Sequence, residues 1–148
     1  MISLEKSLAV REPDNIAKHG DLVEAFRGIA EIEEKIGKLG QVTYHYLSPG
    51  DTSGNHFHKK KFEIFFVIDG EITVYLLNPE TGERFSERII VGKKFDLVPL
   101  VAHALYNSGD IKCILGEHTN LTFNPDNPRN DVYDCEVFRP AQAYQMAK

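Results

Sequence analysis

The chain has 148 residues, 17 Lys plus Arg against 22 Asp plus Glu, and a formal charge of −5, which gives room for one domain with a buried core, residues 1–148, and not for two. An apolar share of 42% beside 26% charged residues excludes a disordered, collagen-like or coiled-coil chain. The acidic balance, with no basic block apart from Lys59-Lys60-Lys61, excludes a nucleic-acid footprint, which needs clustered cations to displace counterions.

No run approaches the roughly 18 apolar residues of a membrane helix. The start, Met1-Ile2-Ser3-Leu4-Glu5-Lys6, lacks the basic-then-apolar order of a signal peptide, so the expectation is a cytoplasmic protein with no membrane partner. Cys113 and Cys135 stand alone, without a Cys-x-x-Cys pair, and are expected as packed thiols in a reducing compartment.

Before Gln41, the residues Leu22, Ala25, Phe26, Ile29, Ile32 and Ile36 fall near a helical period, while 22–26 also alternates as an edge strand would. The expectation there is a strand followed by an irregular or short helical piece. From Gln41 onward, runs rich in Val, Ile, Tyr, Phe and Thr predict strands over residues 42–47, 62–68, 71–77, 85–91, 95–98, 104–106 and 111–117, separated by turn signals. Asp69-Gly70 is the strongest hairpin signal, because both residues tolerate positive φ. Seven or eight strands in about 100 residues predict an all-β sandwich or barrel. The tail from Asn124 carries Pro125, Pro128 and Pro140 and is expected to be extended and wrapped on the surface.

The chemistry concentrates in Gly50-Asp51-Thr52-Ser53-Gly54-Asn55-His56-Phe57-His58-Lys59-Lys60-Lys61-Phe62-Glu63, followed by Gly70. Residues two apart on a strand share a face, so His56 and His58 project together while Phe57 faces away. The three lysines turn the chain as a solvated loop, with a contact to a substrate phosphate as the lesser reading. Glu63 on the returning strand can then come alongside the imidazoles, and His103 supplies a third ring. Imidazoles with a carboxylate suit one divalent metal, Zn, Mn, Fe, Ni or Cu. The plainer reading makes both histidines exposed turn residues and Glu63 the partner of a lysine.

These residues resemble the first motif of the cupins: Gly, five residues, His-x-His, four residues, Glu, six residues, Gly, met by Gly50, His56, His58, Glu63 and Gly70. The second cupin motif is matched by Gly92, Pro99, His103 and Asn107, with the first interval one residue long, the next one short and the inner glycine missing. The resemblance covers residues 42–121 and implies a small jelly-roll barrel, commonly a homodimer, with a metal in its mouth. Within the superfamily the chain is most similar to sugar-modifying cupins: dTDP-4-dehydrorhamnose 3,5-epimerases, dTDP-hexulose 3,4-ketoisomerases and the cupin domain of capsular-polysaccharide sugar epimerases. The similarity includes Gly20-Asp21-Leu22-Val23-Glu24-Ala25-Phe26 and Phe123-Asn124-Pro125-Asp126-Asn127-Pro128. Those enzymes usually carry an arginine, suited to phosphate, just before the glycine of the histidine segment, where this chain has Ser53.

The resemblance implies epimerisation or isomerisation of a carbohydrate or nucleotide sugar, with a metal at His56, His58, Glu63 and His103 polarising a carbonyl while a base moves the adjacent proton. The candidates for that base are His45, Tyr44, Tyr106 and His118. Strand parity sends either His45 or the pair Tyr44 and Tyr46 inward, with His45 preferred; His118 reads better as a surface residue, and both tyrosines could simply pack at the rim. Two other functions fit the same ligands: a metal-dependent dioxygenase of a small organic substrate, and a non-catalytic sugar-binding cupin.

Overall fold

The computed structural model describes residues 2–15, 23–24 and 28–140. Residues 22, 25 and 26 of the expected N-terminal strand lie outside them. The chain opens with α1 (Leu4–Leu8), whose Ser3 side chain accepts the Lys6 N–H and whose end is Ala9 in the left-handed region. The short strands β1 (Asp14–Asn15) and β2 (Val23–Glu24) pair with each other, and α2 (Gly28–Ile36) follows. The strand-then-helix order matches expectation, with a helix of 9 residues. The helix α1 had no counterpart in the sequence reading.

From there the chain is almost all strand: β3 (Gln41–Leu47), β4 (Thr52–Phe57), β5 (Glu63–Asp69), β6 (Glu71–Leu77), β7 (Arg84–Ile90), β8 (Lys94–Leu97), β9 (Ala102–Tyr106), β10 (Cys113–Thr119) and β11 (Tyr133–Asp134). They form an antiparallel sheet β3-β10-β5-β8 and a second antiparallel sheet β11-β4-β9-β6-β7, the two layers of a jelly roll. All seven expected strands are present within two residues at each end. The histidine strand β4 and the tail strand β11 complete the second sheet.

One turn behaves differently. Asp69-Gly70 does not close a hairpin, because β5 and β6 belong to opposite sheets and the chain crosses between layers there. Gly70 (φ +74) permits the crossing, since a Cβ would lie 2.7 Å from the Lys112 carbonyl oxygen. The tight hairpin is β6–β7, closed by Asn78, whose carbonyl accepts the Gly82 N–H and whose N–H donates to Glu83 O.

The core fills the space between the sheets with Phe65, Val67, Leu115 and Cys113 from one layer and Ile72, Val74, Leu76, Ile89 and Leu105 from the other. Leu4 and Leu8 of α1 join it, which explains why so short a helix is stable. Asn107 is fully buried, and its amide donates to Leu47 O and Ile111 O while its Oδ1 accepts Gly109 N–H. Asp96 ties the N-terminal segment and α2 to the first sheet through Arg11 at 2.9 Å and Lys35 at 3.4 Å.

The tail is extended and surface-bound as expected, after turns over 124–132, and it also packs. Val137 and Phe138 cover Phe57, Tyr75, Ala102 and Ala104 on the outer face of the second sheet, with the Tyr75 and Phe138 rings stacked 3.8 Å apart. Cys113 and Cys135 are free; burial pushes the Cys113 thiol up to about 11, which keeps it an unreactive packing group. Among the described residues no helix is long and apolar enough to cross a membrane.

Candidate functional site

The site forms where the two sheets open at one mouth. In β4 the register shifts between Gly54, opposite Ala104, and His56, opposite His103, leaving Asn55 unpaired in a bulge. Without that extra residue Asn55 would face His103 and His56 would turn to the outer side. Gly54 (φ +96) and Asn55 (φ +57) supply the left-handed backbone. The tail secures the bulge, because Asn55 Oδ1 accepts the N–H groups of Val137 and Phe138.

Three imidazoles converge as a result. The ring centroids of His56, His58 and His103 lie 4.8 to 5.6 Å apart, and one nitrogen from each falls within 4.8 Å of the others. Burial, then the neighbouring His58 and Lys61 charges, lowers His56 to about 4. Burial likewise lowers His58, and burial with the adjacent rings holds His103 well below the usual imidazole range. All three are therefore neutral near pH 7, the state in which imidazole binds a cation.

Glu63 joins them from β5, its two oxygens 3.8 Å from His58 Nε2 and 3.7 Å from His103 Nε2. Burial, then the charge of Glu117, raises its carboxyl well above the ordinary range. Glu117 on β10 lies diagonally between Glu63 on one neighbouring strand and His45 on the other. Burial would raise Glu117 too, but hydrogen bonds from His45 and Glu63 and the Lys61 charge hold it at about 2. The proton of the pair thus sits on Glu63 and Glu117 is the carboxylate. His45 Nε2 bonds Glu117 Oε2, and the ring meets Phe65 edge-on at 5.6 Å.

Lys61 departs from its expected place in a solvated turn. Lys59 and Lys60 are exposed, whereas Lys61 bends inward, 3.4 Å from Glu63 Oε1 and 3.5 Å from Glu117 Oε1. The sequence reading gave Lys61 only as one of three turn lysines, with a substrate phosphate as its lesser partner, and did not single out Glu117. The available signal was a charged residue at an inward position of the apolar strand 111–117, alternating with Leu115.

A cavity of about 220 Å³ leads to this cluster, lined by Thr43, His45, His58, Lys61 and Glu117 on the barrel side and by residues including Asn124, Asn127 and Asn130 on the tail side. Tyr44 is 59% exposed on the outer face of β3 and Tyr46 beside it 65%, so β3 sends His45 inward and both tyrosines away from the cavity. Tyr106 lies on the outer face of the second sheet, 5.0 Å from the Phe138 ring. His118 takes the outer face of β10, half-buried between Val42 and Ile64. Of the residues expected to act, His45 alone joins His56, His58, Glu63 and His103 in the mouth.

A divalent cation fits this cluster. The ring nitrogens are close, neutral and inward-facing, His58 Nε2 is buried without a hydrogen-bond partner, and nitrogen donors with one carboxylate suit zinc or a similar first-row ion. A cation there would displace the proton of Glu63, since a ligating carboxylate is ionised.

Comparison with known proteins gives four similarities. Residues 17–133 match the family described as polysaccharide biosynthesis C-terminal domain. The chain is 33% identical over 106 residues to UDP-2-acetamido-2,6-beta-L-arabino-hexul-4-ose reductase of Pseudomonas aeruginosa, covering 70% of this chain and 28% of that protein. Among solved structures, the capsular polysaccharide assembling protein CapF of Staphylococcus aureus superposes with TM-score 0.62 at 30% identity, over 70% of this chain and 28% of that one. The chain thus spans less than a third of either relative. The sugar 3,4-ketoisomerase QdtA of Thermoanaerobacterium thermosaccharolyticum matches over 95% of this chain and 93% of its own with TM-score 0.67, at 19% identity, a likeness of fold.

Proposed function

The chain belongs to the polysaccharide biosynthesis C-terminal domain family and is a cupin, and from that premise we propose that it acts as an epimerase or isomerase on a carbohydrate or nucleotide sugar. One divalent cation is held by His56, His58, His103 and Glu63. Such an ion, when bound, supplies Lewis acidity toward a carbonyl or enediolate oxygen.

His45 is the base. Its ring lines the cavity, and the Glu117 carboxylate accepts the Nε2–H, which leaves the lone pair on Nδ1. When Nδ1 takes a proton from the carbon beside the carbonyl, the imidazolium charge is opposed by Glu117. The bonds from His45 and Glu63, with the Lys61 charge added, keep Glu117 ionised for that role. The amides of Asn124, Asn127 and Asn130 and the hydroxyl of Thr43 suit the hydroxyl groups of a sugar ring. The Lys61 charge is already matched by the Glu117 carboxylate, with Glu63 beside it, so a substrate phosphate would lie outside this cavity. A homodimer suits Val42, Tyr44 and Tyr46, which stand exposed on the outer face of β3.

The observation that carries this reading is a cluster of three neutral imidazoles that reaches, through His58, a cavity also lined by a separate histidine–carboxylate pair, His45 and Glu117. The test is hydrogen exchange in deuterium oxide, followed by NMR on a nucleoside-diphosphate-linked 4-keto-6-deoxyhexose. Wild-type protein is expected to exchange the hydrogen beside the carbonyl, and His45→Ala to slow exchange by about 10²- to 10⁴-fold with bound metal unchanged by elemental analysis. Substrate-dependent oxygen uptake without exchange would point to a dioxygenase, and tight binding without turnover to a binding module.

A further inference from the structure

Resting on the cation site proposed above, we infer that Asp131 is a positioning residue: from the tail it fixes the tautomer and orientation of His58 and holds the turn that carries Lys61. Asp131 stands 73 residues from His58 in sequence, yet its backbone carbonyl lies 2.8 Å from His58 Nδ1. A carbonyl only accepts, so Nδ1 carries the hydrogen and the lone pair is on Nε2. That nitrogen is buried, has no hydrogen-bond partner and lies on the side of Glu63. A ligand histidine oriented by a bond from its other nitrogen is the arrangement that metal sites rely on.

The carboxylate of the same residue sets where that carbonyl sits. Its Oδ1 accepts N–H bonds from Lys59 at 3.0 Å and Lys60 at 3.2 Å, and its Oδ2 from Lys60 at 3.0 Å and Lys61 at 2.9 Å. Three consecutive amides thus close around one anion. Asp131 adopts φ +60, a conformation that aspartate tolerates better than most residues. The turn so held begins directly after His58 and ends at Lys61, whose ammonium reaches both Glu63 and Glu117. One tail residue therefore constrains a ligand histidine and the ammonium that lies between Glu63 and Glu117. The remainder of the tail has its own attachments, with Tyr133 paired and stacked on Phe57 at 5.2 Å and the Lys59 ammonium 4.4 Å from the Tyr133 ring centre. Loss of the Asp131 carboxylate is therefore a local event.

The experiment uses Asp131→Gly, which keeps the positive φ accessible, and Asp131→Asn, which keeps one acceptor oxygen but turns an N–H toward the lysine amides. In the metal-free protein, long-range proton–nitrogen NMR of the histidine rings is expected to give the Nδ1–H form of His58 in wild type and a mixture of tautomers in D131G. Cobalt(II) titration followed by visible absorption is expected to give an affinity roughly 10- to 100-fold weaker in D131G, with D131N between. If D131G does not fold, D131N carries both measurements. Equal cobalt affinity in variant and wild type, or an unchanged His58 tautomer, overturns the inference. Wild-type protein that takes up no cobalt overturns the cation site instead, and the tautomer comparison still decides the role of Asp131.

Discussion

Glu63 and Glu117 share one buried space, and their partners decide which of them ionises. Glu117 receives a bond from His45 and one from Glu63 and faces Lys61, whereas Glu63 gains from Lys61 alone and suffers the Glu117 charge. The negative charge is thereby placed beside His45, where the base role proposed for that ring would need it. Glu117→Gln keeps the shape and removes the charge, and it is expected to slow deuterium exchange by about 10²-fold while cobalt affinity stays near wild type, because the three imidazoles are untouched. A loss of cobalt binding equal to the loss of exchange would make Glu117 part of the cation site and not the partner of the base. The convergence of His56, His58 and Glu63 was legible in the sequence because their proximity is local, a two-residue repeat on one strand and a carboxylate just past a turn, whereas His103 on β9 was marked only by resemblance to the second cupin motif. Lys61 and Glu117 were not legible together, because their meeting depends on the register of three strands, and Asp131 least of all, because a nonadjacent tail delivers it.

At the level of elements, strand β4 is where backbone geometry creates chemistry. Its bulge returns His56 to the inner face, and Gly54 is the residue that permits it, since a Cβ there would fall 2.8 Å from the His103 carbonyl oxygen and 3.2 Å from the Ala104 Cα. Both neighbours are backbone of a central strand and cannot retreat. Gly54→Ala is expected to cost about 2 to 4 kcal/mol, from strained φ together with overpacking, read by urea unfolding, and to weaken cobalt binding because His56 and His103 are forced apart. A stable G54A with intact cobalt bands would mean that the bulge does not set the ligand spacing. The strands themselves were legible, since β-branched and aromatic runs between turn residues mark them whatever their partners. Which sheet each strand joins was not: Asp69-Gly70 carries hairpin chemistry, yet apolar inner faces on both β5 and β6 favour burial in opposite layers over pairing with each other. The short α1 escaped notice because it is held by Leu4 and Leu8 in the core and not by intrinsic helix propensity.

For the whole molecule, the cluster ties stability to protons and to cation. In the metal-free chain His56 has its pKa lowered from 6.5 to about 4, and His58 and His103 are lowered too. The unfolded chain therefore binds more protons across that window, and stability falls as pH drops from 6.5 toward 4. Glu63 works the other way: raised above 4.5, it contributes most below its unfolded value and less as pH rises through its folded one. Burial also lowers His118 and raises Asp96, so four depressed histidines oppose two raised carboxyls and the melting temperature is expected to fall on acidification from pH 7 to 4.5. It falls further toward pH 2 as Glu117, lowered from 4.5 to about 2, is protonated. In the cation site proposed above, a divalent cation would bind only the neutral imidazoles and the ionised Glu63, so that cation and protons would compete for the folded state. At a free concentration of about 100 times its dissociation constant, the cation adds about 2.7 kcal/mol. The rise in melting temperature with zinc or cobalt is accordingly expected to be large at pH 7.5 and to shrink toward pH 5, and to vanish in His56→Ala/His58→Ala. A cation-induced rise that ignored pH, or survived in that double variant, would locate the stabilising ion elsewhere on the protein.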